Sequence, residues 1–129
     1  TMAHQPWKTA DLASRIFKEF YFNDPNGLAG NEDVGQMSAW YILSSLGFYQ
    51  AEPANPRFWF GKPAFRNASV KVPGGTFNVT AEGLSEENRY IQSITLNGEE
   101  YKLPYIEYVD IFRGGNLVFK MGPEQTVWY

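Results

Sequence analysis

The sequence predicts an α+β protein, with helices over residues 1–52 followed by an antiparallel β-sheet or sandwich over residues 53–129, the two parts making one compact unit. Three observations carry this. Apolar residues recur at helical spacing before residue 47, the period changes to alternation after Pro53, and Asn97-Gly98 sits between two alternating runs as the turn of a two-residue hairpin. A length of 129 residues suits one core rather than two.

The first helix covers residues 9–20. Leu12, Ala13, Ile16, Phe17 and Phe20 fall on one side and Lys18 and Glu19 opposite. Thr9 is its expected N-cap, with Asp11 in the first turn, where the helix dipole favours an anion. The helix should stop before Asn23-Asp24-Pro25-Asn26-Gly27, a run dense in turn formers. A second helix fits Val34 or Gly35 through Leu46, with Gly47 suited to a left-handed C-terminal cap. Met37, Trp40, Tyr41, Ile42, Leu43 and Leu46 leave it only a thin polar stripe of Ser38, Ser44 and Ser45, so it is expected to be packed on most sides. Strands are expected at 57–60, 68–72, 76–81, 90–96, 99–103 and 116–121, with Arg113-Gly114-Gly115-Asn116 as a second, weaker turn signal. There are no repeats and no low-complexity linker.

Composition removes several function classes. The formal net charge is −3 and the 11 basic residues are scattered, which gives no phosphate-neutralising stripe, so nucleic acid is not an expected partner. With no cysteine, disulfides, thiolate metal sites and cysteine nucleophiles are excluded. A single histidine, His4, leaves little for a Ser-His-Asp triad or a multi-histidine zinc site. No apolar run approaches the length needed to span a bilayer. Thr1 precedes Met2, so a tag remnant or a piece of a longer protein is expected. Aromatic residues make up 17% of the chain, which suits either a sugar-stacking surface or a ring-filled core, and core packing is the commoner use. Asn67-Ala68-Ser69 and Asn78-Val79-Thr80 match the glycosylation pattern, a short match expected by chance outside a eukaryotic source.

The segment 23–36 is chemically the richest. Glycines at 27, 30 and 35 permit unusual backbone conformations and close approach of a ligand, and Glu32 and Asp33 lie at the mouth of the second helix, flanked by Asn31 and Gln36. Three readings compete. Asp33 or Asn31 can cap the helix. Asp24-x-Asn26 begins like a calcium loop, but Leu28 takes the third ligand position and the required glycine and distal glutamate are out of place. A carboxylate on a rigid glycine-rich loop can also serve as a general base that holds a water.

Several blocks together carry a resemblance: Pro6-Trp7-Lys8-Thr9, residues 23–28, residues 30–41 (Gly-Asn-Glu-Asp-Val-Gly-Gln-Met-Ser-Ala-Trp-Tyr), Gly47-Phe48-Tyr49, residues 90–98 and residues 114–122. They look like the C-terminal part of the bacterial exo-acting α-mannosidases of glycoside hydrolase family 92. The resemblance implies a calcium-dependent, inverting enzyme that removes terminal α-linked mannose, often α-1,2-linked, from glycans, and that combines an N-terminal β-sandwich with a catalytic (α/α)6 barrel. Residues 5–47 would be the last barrel helices and the active-site loop, and residues 57–121 a terminal β region packing back on the enzyme. The family's loop supplies the general base, which maps onto Asp33. Many members carry Asp where this chain has Asn31, which is left to orient the water or the sugar, and Glu32 matches the motif in a supporting place.

Gln36, Ser38 and Trp40 are the candidate sugar contacts, although Trp40 and Tyr41, mid-helix in an apolar run, also suit core packing. By the same mapping, the general acid and the calcium ligands lie upstream of Thr1. No metal residues are assigned in this chain, no calcium is expected to be retained by it, and it should not turn over alone, because inversion needs two carboxyl groups roughly 6.5–9.5 Å apart. Export to the periplasm, cell surface or medium is expected of a glycan-processing enzyme. The rival readings are a non-catalytic carbohydrate-binding module and a structural brace. A chain lacking its barrel partners is expected to self-associate through exposed helix faces.

Overall fold

Alternating inward-facing side chains from two sheets build the core, and the helices lie against it. The computed structural model describes residues 1–129. In chain order the elements are α1 (Pro6–Phe20), α2 (Gln36–Ser45), β1 (Phe48–Tyr49), β2 (Arg57–Phe60), β3 (Asn67–Val72), β4 (Gly75–Glu82), β5 (Tyr90–Leu96), β6 (Glu99–Glu100), β7 (Tyr105–Glu107), α3 (Tyr108–Phe112) and β8 (Gly115–Gly122). The strands form a three-stranded sheet in the order β1-β2-β7 and a five-stranded sheet in the order β3-β4-β8-β5-β6.

All pairings are antiparallel except β4 with β8, which is parallel. The expected antiparallel sheet is therefore mixed at its centre. The last strand slides between two local hairpins, β3-β4 and β5-β6, and a strand antiparallel to β5 here runs parallel to β4. The β5-β6 turn is the expected one: Asn97 and Gly98 have φ of +53° and +86°, and Leu96 faces Glu99 across them.

Phe77, Val79 and Ala81 of β4 and Leu117, Phe119 and Met121 of β8 point inward, joined by Ile91 and Ile94 of β5 and by Phe48, Phe60 and Ile106 of the smaller sheet. Ile91 and Ile94 are three apart, a spacing that regular alternation would send to opposite faces. A bulge between Ile91 and Ser93 absorbs the extra residue and returns both to the core. Phe60 meets Phe119 edge-on at 5.5 Å and 86°, a contact worth about 0.5–1.5 kcal/mol beyond its buried area. On the outer face Ser69 Oγ donates to Asn78 Oδ1 at 2.7 Å and Asn78 Nδ2 to Asn116 Oδ1 at 3.0 Å, so the asparagine of the second glycosylation match is tied into the sheet.

Several local expectations shift. The strand expected at 99–103 stops at Glu100, and Pro104 ahead of β7 has no N–H to give a ladder. β1, β7 and α3 escaped periodicity because two, three and five residues are too few to show a period. The Arg113–Asn116 turn signal joins α3 to β8 instead of closing a hairpin.

Helix α1 begins at Pro6, not Thr9: proline at the first helical position forgoes an N–H that would lack a helical partner anyway. Thr9 is therefore inside the helix and caps nothing. Its Oγ1 accepts from the Thr1 amino group at 2.6 Å. Asp11 lies in the second turn, where it accepts from the Tyr90 hydroxyl at 3.2 Å and pairs with Arg89 at 3.4 Å, tying α1 to β5.

Helix α2 ends as expected, with Gly47 at φ +94° and its N–H on the Ser44 carbonyl at 3.0 Å. Glycine is required there twice over, since a Cβ would also meet the Phe119 ring at 2.9 Å. Leu43 and Leu46 pack on the core, but Ile42 is 59% exposed. Within this chain α2 is thus covered on one side only, not on most sides.

Candidate active site

The segment between α1 and α2 is built to hold a short loop still. Phe22 to Gly27 fold into a knot. The Phe22 N–H donates to the Gly27 carbonyl and the Gly27 N–H to the Asp24 carbonyl, each at 2.8 Å. Asp24 Oδ1 takes the Asn26 N–H at 2.8 Å. A side chain at position 27 would strike the carbonyl oxygens of Phe22 and Asp24, so only glycine closes the knot. An isolated bridge between Tyr21 and Leu28 seals its neck.

Beyond it the chain makes a left-handed reversal. Asp33, Val34 and Gly35 have φ of +52°, +59° and +87°. For the β-branched Val34, which is fully exposed, this conformation is a strained one, of a kind that costs about 1–3 kcal/mol and persists only where surroundings enforce it. The enforcing contacts come from Glu32. Its carbonyl accepts the Met37 N–H at 3.2 Å, and its Oε1 accepts the Ser38 N–H at 3.0 Å. The Asp33 carbonyl takes the Gln36 N–H at 3.3 Å.

The cap of α2 is accordingly Glu32, reaching forward across the reversal, and not Asp33 or Asn31; the residue in the N-cap position is Gly35, which has no side chain to offer. Asp33 is exposed, and its carboxylate enters none of the side-chain hydrogen bonds or ion pairs that fasten the loop. The other Glu32 oxygen, Oε2, is buried without a partner.

Tyr21 completes the assembly. Its hydroxyl donates to the Met37 carbonyl at 3.0 Å, joining the end of α1 to the first turn of α2. Burial first, then the nearby Glu32 carboxylate and Tyr49, push its pKa above the ordinary tyrosine value. Its ring stacks on Trp40 with centroids 5.7 Å apart and planes at 17°. Sequence reasoning passed over Tyr21, because nothing in its spacing distinguishes it from the end of an amphipathic helix.

Asn31, Glu32, Asp33, Gln36 and Ser38 gather at the mouth of α2, with Asn31, Asp33, Gln36 and Ser38 exposed. Ser38 also lines an open cleft of about 470 Å³ with Phe22, Asn23 and Tyr41. Trp40 is half-buried in a ring cluster with Phe17, Tyr21 and Tyr49, and it lines a different cleft of about 380 Å³ with Tyr49, Trp59 and Lys62. Burial pulls the Lys62 ammonium below its ordinary pKa, and Nζ donates to Ser14 Oγ at 3.2 Å. No three side chains among His, Cys, Asp and Glu of this chain come together as a metal-binding group.

The arrangement offers one free carboxylate on a rigid reversal beside exposed polar side chains, which suits a base acting on a water. Known proteins resemble this chain as a whole. The glycosyl hydrolase family 92 catalytic domain matches residues 1–123. An uncharacterized secreted glycosidase from the fungus Arthroderma benhamiae is 33% identical over 112 residues, 83% of this chain and 14% of the relative's length.

Among solved structures, a family GH92 α-mannosidase from Bacteroides thetaiotaomicron superposes with a TM-score of 0.84 at 36% identity, over 92% of this chain and 16% of that one. It has also been solved in complex with mannoimidazole, where the TM-score is 0.85 over the same shares at the same 36% identity. The GH92 inverting mannosidase from the same bacterium gives 0.82 at 34%, over 93% of this chain and 16% of that one. The chain therefore spans about a seventh of the curated relative's length and belongs to glycosyl hydrolase family 92.

Proposed function

We propose that this chain is the C-terminal part of a calcium-dependent, inverting exo-α-mannosidase that hydrolyses terminal α-1,2-linked mannose from glycans, and that Asp33 is its general base. The observation that carries the reading is the free Asp33 carboxylate on a reversal whose capping work is done by Glu32. An acid used as a cap would have its lone pairs occupied by N–H groups; Asp33 keeps them for a water. Support also comes from the neighbours, which are described as α-mannosidases, one of them as inverting.

In this reading Asp33 takes a proton from the water that attacks the anomeric carbon, while a general acid outside this chain protonates the departing oxygen. Asn31 orients the water or the sugar. Gln36 and Ser38 contact hydroxyls of the bound mannose, and Trp40 stiffens α2 or faces the sugar from its own cleft. The calcium ligands belong to the rest of the enzyme.

The isolated chain lacks the acid and is inactive, and it self-associates through the apolar side chains that α1 and α2 leave exposed. The enzyme works outside the cytoplasm, in the periplasm, on the cell surface or secreted, in keeping with the relative described as secreted. No helix of this chain is long and apolar enough to cross a membrane.

The test is Asp33→Asn in the full-length enzyme, assayed on an α-1,2-mannobiose. Loss of about 10²–10⁴-fold in kcat with an unchanged unfolding midpoint is expected. Near-normal turnover removes Asp33 from the base role.

A further inference from the structure

Glu32 stands beside the proposed base in a motif rich in acids, which invites a second catalytic carboxylate. The geometry points to a different assignment: Glu32, together with Tyr21, is a positioning residue that clamps the left-handed reversal carrying Asp33. This rests on Asp33 being the base.

Four observations lead there. First, Asp33 and Val34 sit at φ +52° and +59°, a conformation a free loop of L-residues would leave. Second, Glu32 brackets that reversal from both ends of its own structure. Its carbonyl holds the Met37 N–H at 3.2 Å and its Oε1 the Ser38 N–H at 3.0 Å, so the chain cannot relax between residues 32 and 38 while both bonds stand. Third, the Tyr21 hydroxyl grips the Met37 carbonyl at 3.0 Å from the end of α1, which fixes the first turn of α2 against a second element. Fourth, Glu32 is only part-exposed and its Oε2 is covered, whereas Asp33 is open. A carboxylate with one oxygen spent on a backbone N–H and the other covered is poorly placed to hold a water, and well placed to hold a loop.

A clamp and a catalytic carboxylate respond differently to the same substitutions. The Ser38 N–H needs an acceptor oxygen, not a charge, and the glutamine side chain has one. In the full-length enzyme, Glu32→Gln should therefore keep kcat within about threefold. Glu32→Ala, which removes the acceptor, should lower kcat by about 10–100-fold with KM little changed, because a misplaced base fails in the transition state while the sugar still binds. Tyr21→Phe, which deletes one oxygen and keeps the ring, should lower kcat by about 3–10-fold.

Sodium azide supplies the further readout. Azide needs no base. It attacks the anomeric carbon from the face the water uses, forming a C–N bond as the glycosidic C–O bond breaks and the general acid protonates the leaving oxygen. Turnover of Glu32→Ala, Tyr21→Phe and Asp33→Ala should recover with azide and give β-mannosyl azide, which general damage to the fold would not allow.

Glu32→Gln as inactive as Asp33→Asn would make Glu32 a charged participant and overturn the clamp. Full activity in Glu32→Ala would overturn it as well, as would an unchanged kcat in Tyr21→Phe, the variant that decides the matter if Glu32→Ala does not fold. Near-normal activity in Asp33→Asn would instead remove the base assignment, and that result is read independently of the other variants.

Discussion

The long strands β4 and β8 treat their large apolar side chains differently from α1, α2 and the loop between them. In β4 and β8 the inward residues Phe77, Leu117 and Phe119 are wholly buried, whereas Leu12 on α1, Phe22 in the knot and Ile42 on α2 are 58%, 62% and 59% exposed. Burial of a side chain of this size contributes about 1.5–3 kcal/mol, so the sheets obtain their stability inside this chain while the helices leave much of theirs unused. The free carboxylate, the strained reversal and the cleft beside Ser38 lie on the unfinished side. The finished half serves as the anchor, through Phe119 under Gly47 and Leu43 and Leu46 on the core, on which the loop is held.

The contrast can be broken in three ways. Phe119→Ala should destabilise the chain by about 3–5 kcal/mol, because it opens a cavity where the two sheets meet, and Ile42→Ala should change stability by no more than about 0.5 kcal/mol. Urea unfolding of both variants measures this; equal losses would mean that the halves do not differ. Val34→Gly should stabilise by about 0.5–1 kcal/mol, since relief of the left-handed strain exceeds the added freedom of the unfolded chain. The same substitution at Val79, 2% exposed in β4, should have the opposite sign.

A further effect is expected at alkaline pH. Burial above all, followed by Asp110, Tyr105 and Glu107, pushes the Tyr101 phenol up to about 12. The unfolded phenol ionises near its ordinary value of 10.0. Between these values the folded state holds a proton that the unfolded state has released, so stability present below pH 10 falls as pH rises towards 12. Tyr101→Phe should flatten that decline, and absorbance of the phenolate should report the late titration directly. An unaltered slope would place the alkaline loss elsewhere.

Much of this architecture was legible in the residues. The end of α1 before Asn23, the Gly47 cap and the Asn97-Gly98 turn were readable because each depends on a few neighbouring residues with distinct conformational preferences. The start of α1 was misread because Pro6 announces a first turn as well as Thr9 announces a cap. In the candidate site, the tight glycine loop and the exposed Asp33 were readable, but the division of labour between neighbouring acids was not. Glu32 caps an N–H six residues ahead, a distance outside the usual capping spacings and closed only by three consecutive left-handed residues.

By itself the sequence determined the class of the fold, the places where α1 and α2 stop, and the family motif that draws attention to residues 30–41. These are local matters, set by side-chain period, by glycine and proline geometry and by residue identity. The tertiary structure alone decided that β8 runs parallel to β4 between two hairpins, that Tyr21 reaches across to α2, and that Glu32 is spent while Asp33 is free. Each of these depends on which distant groups meet, and on which lone pairs remain once the backbone N–H groups have been satisfied.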